Sequence, residues 1–151
     1  WAFIYSSKSL SNIMNKILTL SFLPTSRDLG LLVLRLGFGV YMIVAHGLPK
    51  LMNFAARKDN FPDPLGLSSP VSLGFTVGAE VFAAAFLVLG LFTRLSAAAL
   101  IFTMSVAFIT MHGGIFVGEG NGEKAAVYLS AFLVILISGG GKYAIDSKRS
   151  S

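Results

Sequence analysis

"RLGFGVYMIVAHGLPKL", Arg35–Leu51, decides the fold of this chain. Arg35 opens a run that water rejects, His46 closes it, and Lys50 follows one helical turn later. Residues four apart share a helix face, so His46 and Lys50 stand together where the helix leaves its apolar stretch. The run itself extends from Leu29 to Ala45 and is interrupted only by Arg35.

Three more runs follow. Val71 to Thr93 is broken only by Glu80, Leu95 to Met111 carries no charge, and Ala125 to Ser138 is uncharged on through Gly141. A membrane-crossing helix needs about 20 residues, with about 17 tolerated at the short end. The first three runs meet that length. The fourth draws on its flanks or on a thinner bilayer. None shows the polar stripe of a soluble amphipathic helix. The expected fold is all-α: a membrane-spanning four-helix bundle over residues 25–146. An amphipathic surface segment precedes it (1–24), and a short basic tail follows (147–151).

In the leading segment, Leu10, Ile13, Met14, Ile17 and Leu18 fall at roughly helical spacing, which predicts a helix lying on the membrane surface. A secretory signal is the other reading of this end, but its apolar core is weak and no small-residue cleavage site stands out. The chain opens on Trp1 rather than Met, so its true N-terminus is expected upstream. Pro24 ends the segment. "TSRD" then offers Thr25 as an N-cap, with Asp28 three residues on.

Composition agrees with lipid as solvent. Hydrophobic residues make up 54% and charged residues 13%, against about 25% charged in a soluble domain. Thirteen Phe and sixteen Gly suit helices that face acyl tails and approach one another closely. The absence of cysteine excludes disulfides, Cys-type metal sites and thiol redox chemistry within this chain. The net charge of +5 is not arranged for nucleic acid, because no basic run is interleaved with polar recognition residues. The expected partners are the lipid bilayer and other membrane protein subunits.

The basic residues serve orientation instead. The face with both termini and the Leu91–Ser96 turn carries Lys8, Lys16, Arg27, Arg94, Lys142, Lys148 and Arg149. The other face carries Lys50, Arg57, Lys58 and Lys124. The positive-inside rule puts both termini in the cytoplasm. The expected location is a bacterial inner membrane. His46 and His112 then both lie near the outer face, with Lys50, Glu119 and Glu123.

Two charges remain inside the apolar runs. Arg35 lies about 9 Å from the inner end of its span and Glu80 about 14 Å from the outer end of its own, at 1.5 Å per residue. In a core about 30 Å thick their depths differ by about 7 Å, within reach of two long side chains. Either charge alone in lipid costs roughly 2.5–3.5 kcal/mol or more, so a shared Arg35–Glu80 pair facing the bundle is expected. Two readings stay open: the pair only fixes helix register, or Glu80 carries a proton or anchors a ligand. His46 and His112 are interfacial residues or, as a second alternative, ligands to haem iron or a metal. Lys50 is read as a headgroup anchor rather than a catalytic amine. "GFTVG", Gly74–Gly78, is a G-x-x-x-G expected to pack closely on a neighbouring helix. "VYMIVAHG" (Val40–Gly47) and "VAFITMHG" (Val106–Gly113) echo each other faintly, as a duplicated hairpin would. No nucleophile–base pair, phosphate loop or zinc motif is present.

The chain resembles the DoxX family of small four-helix membrane proteins. The residues that carry the likeness are "LLVLRLGFGVYMIVAHGLPKL" (Leu31–Leu51), "GAEVFAAAFLVLGLFTRLSAAAL" (Gly78–Leu100) and "GGGKYAID" (Gly139–Asp146). They follow the family pattern: an arginine in the first span, H-G-x-x-K, G-x-E, L-G-L-x-T-R and G-x-G-[KR]-Y-x-x-D. The likeness implies a four-helix bundle in which Arg35, His46, Lys50 and Glu80 line a ligand cleft. Arg94, Tyr143 and Asp146 would tie the hairpin turn to the tail. Relatives linked to thiosulfate–quinone oxidoreduction and redox stress imply an accessory subunit of a larger membrane complex, redox-linked and binding a quinone or lipid. The alternative is a subunit acting directly on quinone.

Overall fold

A computed structural model describes residues 2–148, with side chains from residue 9 onward. Among them all regular secondary structure is helical, with no strand. Six helices follow in order: α1 (Ala2–Leu18), α2 (Arg27–Met52), α3 (Phe54–Arg57), α4 (Ser69–Leu89), α5 (Thr93–Met111) and α6 (Glu123–Ser138). A 3-10 turn, Ile145–Lys148, closes the described chain.

α2, α4 and α5 run for 26, 21 and 19 residues and are long and apolar enough to cross a membrane. α6 has 16 residues, which spans about 24 Å. α2 starts one residue later than its sequence signal. Ser26, not Thr25, is the N-cap; its hydroxyl accepts from the Leu29 amide at 3.1 Å. Asp28 sits in the first turn, where a carboxylate favours the helix dipole. Its Oδ1 also accepts from the Lys142 amide at 2.9 Å, so the tail is anchored beside the start of α2.

The first half of α2 packs on the last third of α4, and the end of α2 packs on the start of α4, so the two are antiparallel. α4 packs on α5, α5 packs along α6, and α6 returns to the first half of α2. Met42, Leu73, Leu87, Leu100, Phe132 and Ile135 are fully buried between them. The outward surface is apolar as well: Phe75 is 70% exposed and Ile137 75%. In water such a surface would drive aggregation. In lipid it is neutral, and packing, small residues and polar pairs hold the helices together.

The arrangement has two ends. The turn end holds the start of α2, the α4–α5 turn and the tail. The loop end holds the 53–68 linker and the 112–122 loop. At the turn end, Asp146 caps α5 from a distance: its carboxylate accepts from the Phe92 amide at 2.9 Å, the Thr93 amide at 2.7 Å and the Thr93 hydroxyl at 2.8 Å. The Asp146 amide donates back to the Gly90 carbonyl at 2.9 Å.

α1 is helical as its spacing predicts. Leu10, Ile13, Met14, Ile17 and Leu18 are all exposed, so its apolar stripe is not used by the rest of the described chain. The Lys8 side chain and the tail beyond residue 148 lie outside the described residues.

Candidate functional site

Three helical turns widen from α to π: Met42–Gly47 in α2, Gly78–Ala83 in α4 and Ala107–Met111 in α5. Such turns are rare and recur at functional sites, because the extra residue breaks regular packing and redirects side chains. The first carries His46, the second carries Glu80, and the third runs up to His112. The turns in α2 and α4 pack directly on each other. Gly47 makes that approach possible. A Cβ there would lie 2.7 Å from the Glu80 carbonyl oxygen and 2.7 Å from Val81 Cγ2.

With the backbones this close, Lys50 reaches Glu80. Lys50 Nζ donates to Glu80 Oε2 at 2.7 Å and to the His46 carbonyl at 3.3 Å. Glu80 is 3% exposed, whereas the Lys50 ammonium keeps some access to its surroundings. This corrects the expected Arg35–Glu80 pair. Helix side chains lean toward the N-terminus of their own helix. Lys50 therefore leans back toward the middle of α2, and Glu80, on an antiparallel helix, leans up to meet it. Arg35 leans in the same direction as Lys50, toward the turn end, and so away from Glu80, whose side chain leans toward the loop end; the gap between them widens.

Arg35 is fully buried there. A Cβ on Gly90, which has φ +71, would collide with Arg35 Nη1 and with Ala144. The Asp146 carboxylate acts on the guanidinium electrostatically, and no hydrogen bond reaches Nε, Nη1 or Nη2 among the described residues.

The Lys50–Glu80 pair opens on a cleft of 1310 Å³ between α2, α4, α5, α6 and the linker. Its wall includes His46, Lys50, Glu80, Met104, His112 and Tyr128. Gly74 and Gly78 line it too. Neither would bring a Cβ within 4 Å of another group, so the G-x-x-x-G opens space rather than closing a helix contact. Close packing falls to Gly39, against Val88 and the Ala84 carbonyl, and to Gly47.

Tyr128, which sequence reasoning passed over, stands beside His46. The two rings meet edge to face at 5.4 Å, and Tyr128 also meets Phe38 at 5.6 Å and stacks on Phe132 at 5.7 Å. In the sequence it is one aromatic in an uncharged run, and only the register of α6 turns it toward the pair.

Phe61, Pro62, Pro64, Leu65 and Leu67 of the linker form one wall of the cleft. Asp63 holds that segment in shape. Its carboxylate accepts from the Ser72 hydroxyl at 2.6 Å, the Ser68 amide at 2.7 Å and the Leu67 amide at 2.9 Å. Those bonds, the Ser72 one foremost, hold the Asp63 carboxyl below its usual range.

The remaining sequence-singled residues divide. His112 also lines the cleft, and its Nδ1 is engaged with the Gly120 carbonyl at 2.6 Å. Among the described residues no three His, Asp or Glu side chains converge as a metal site, so the geometry adds nothing to the haem or metal alternative. Arg94 donates to the Ile137 carbonyl at 3.3 Å and Asp146 caps the turn, whereas Tyr143 is exposed under the Lys142 ammonium at 5.2 Å.

The DoxX family model matches residues 30–113. That stretch holds Arg35, His46, Lys50, Glu80 and His112; Tyr128, Tyr143 and Asp146 lie beyond it. A Haemophilus influenzae protein described as uncharacterized is 34% identical over 113 residues, 72% of this chain and 82% of that protein. A second uncharacterized protein of the same organism is 29% identical over 97 residues, 62% of this chain and 64% of that protein. No solved structure matches.

Proposed function

The chain belongs to the DoxX family of membrane proteins, and from that premise we propose that it binds a lipid-soluble ligand in the cleft beside Lys50 and Glu80. The observation that carries this reading is the placement of a buried carboxylate–ammonium pair on the wall of a 1310 Å³ cleft lined mainly by apolar side chains. A mostly apolar pocket with a few convergent polar groups is the usual form of a small-molecule site. Ionisable groups within a membrane segment are expensive and are kept where they act. Arg35, on this reading, is a structural residue of the turn end, and His46, Lys50 and Glu80 face the ligand.

The setting we propose is a four-helix bundle in a bacterial inner membrane, with α6 as the fourth span and both termini cytoplasmic. α1 would lie on the cytoplasmic surface. The role is that of an accessory subunit whose ligand is a quinone or a lipid.

The test is a spectroscopic titration of detergent-purified protein with a short-chain quinone and with phospholipid. Saturable binding is expected for the wild type, with loss in Glu80→Gln. Unchanged binding in that variant would overturn the site. Orientation is tested separately, because the chain has no cysteine of its own. Lys58→Cys should react with an impermeant thiol reagent from outside the cell, and Ser147→Cys only after permeabilisation.

A further inference from the structure

The Tyr128 hydroxyl is buried and has no hydrogen-bond partner among the described residues. The residue is 6% exposed and lines the cleft, and its hydroxyl lies within electrostatic reach of Glu80. Phe132, Phe38 and His46 hold its ring by faces and edges, and none of those ring contacts is a hydrogen bond to the hydroxyl. A phenylalanine would make the same ring contacts without an unmet polar group. A buried donor left unmade is costly, so the hydroxyl calls for an acceptor that the chain does not provide.

Two further features narrow the acceptor. The Lys50 ammonium has three N–H groups and spends two, on Glu80 and the His46 carbonyl, leaving one. The cleft is also balanced in charge: Lys50 and Lys124 on its wall are matched by Glu80 and Glu123. An anionic head group gains no net attraction from such a wall and loses its hydration on entry. A bare hydrocarbon would leave the hydroxyl unmet.

We propose that Tyr128 donates a hydrogen bond to the carbonyl oxygen of a neutral, lipid-soluble molecule seated in the cleft, with the remaining Lys50 N–H as second donor. The inference rests on the reading that this cleft holds a ligand, and it adds both the anchoring residue and the chemical class.

Three probes of equal chain length separate the possibilities: 2-dodecanone, dodecanoate and dodecane, titrated into detergent-purified protein by calorimetry. The wild type should bind the ketone more tightly than the other two. Tyr128→Phe should weaken ketone binding about 3–10-fold, the worth of one net hydrogen bond, and leave dodecane binding unchanged. The ketone-over-alkane preference of the wild type measures the same bond without any substitution, so the test survives a variant that folds poorly. Equal ketone affinity in Tyr128→Phe, with binding lost in Glu80→Gln, would remove Tyr128 from the site and leave the cleft reading intact. Preference for dodecanoate would overturn the neutral class but not the cleft. Failure of all three probes on the wild type would defeat both.

Discussion

Lys50 and Glu80 meet at 2.7 Å because each side chain leans toward the other's position on an antiparallel helix pair. Gly47 allows the close approach of the two helices, and the π turns of α2 and α4 pack on each other at that point. The motif H-G-x-x-K is therefore one device: the histidine faces the cleft, the glycine admits the neighbouring backbone, and the lysine reaches back to its partner.

Gly47→Ala should destabilise the protein by about 1–3 kcal/mol, since the new Cβ would overlap the Glu80 carbonyl and neither backbone is free to retreat. Gly78→Ala, four residues' rise from Gly74 and open to the cleft, should be neutral or stabilising by up to about 1 kcal/mol through helix propensity. Thermal unfolding in one detergent, followed by circular dichroism, compares them. Similar losses for both would contradict the assignment of close packing.

Asp146→Asn should cost on the order of 2 kcal/mol, because it weakens a helix cap and removes the charge that compensates a buried guanidinium. In an Arg35→Met background the same change should cost less, with a coupling of at least about 0.5 kcal/mol. Additive losses would show that Arg35 and Asp146 act independently.

Much of this was legible in advance, and the failures have physical causes. Apolar length alone located α2, α4 and α5, and the coarse spacing of Leu10 to Leu18 located α1. The family likeness, not the residue pattern itself, points to Asp146 at the turn, where its carboxylate accepts from Phe92 and Thr93. The Arg35–Glu80 pair was misread because depth arithmetic treats side chains as level with their Cα atoms and omits their lean. The G-x-x-x-G records small residues but not which side they face, and within the described chain nothing packs on Gly74 or Gly78. The π turns have no signal in composition, and Tyr128 gains its meaning only from the packing of α6 against α2.

Asp63 predicts an acid response of the linker. Its folded-state pKa is depressed by the Ser72, Ser68 and Leu67 bonds, so its contribution to stability is present above the usual aspartate value of 3.8 and is lost as pH falls through the lower folded value. The protection of the Leu67 and Ser68 amides, measured relative to their intrinsic exchange rates at each pH, should fall across that acid window. Asp63→Asn should show low protection at all pH values and no such transition.

The central claim is that Glu80 belongs to Lys50 and the cleft, not to Arg35 and the turn end. Paired double-mutant cycles test it directly: Lys50→Met with Glu80→Gln, and Arg35→Met with Glu80→Gln, each read as thermal stability in the same detergent. The account predicts a coupling of roughly 0.5–3 kcal/mol for the first pair and additivity within about 0.5 kcal/mol for the second. Coupling between Arg35 and Glu80, with Lys50 additive, would contradict it.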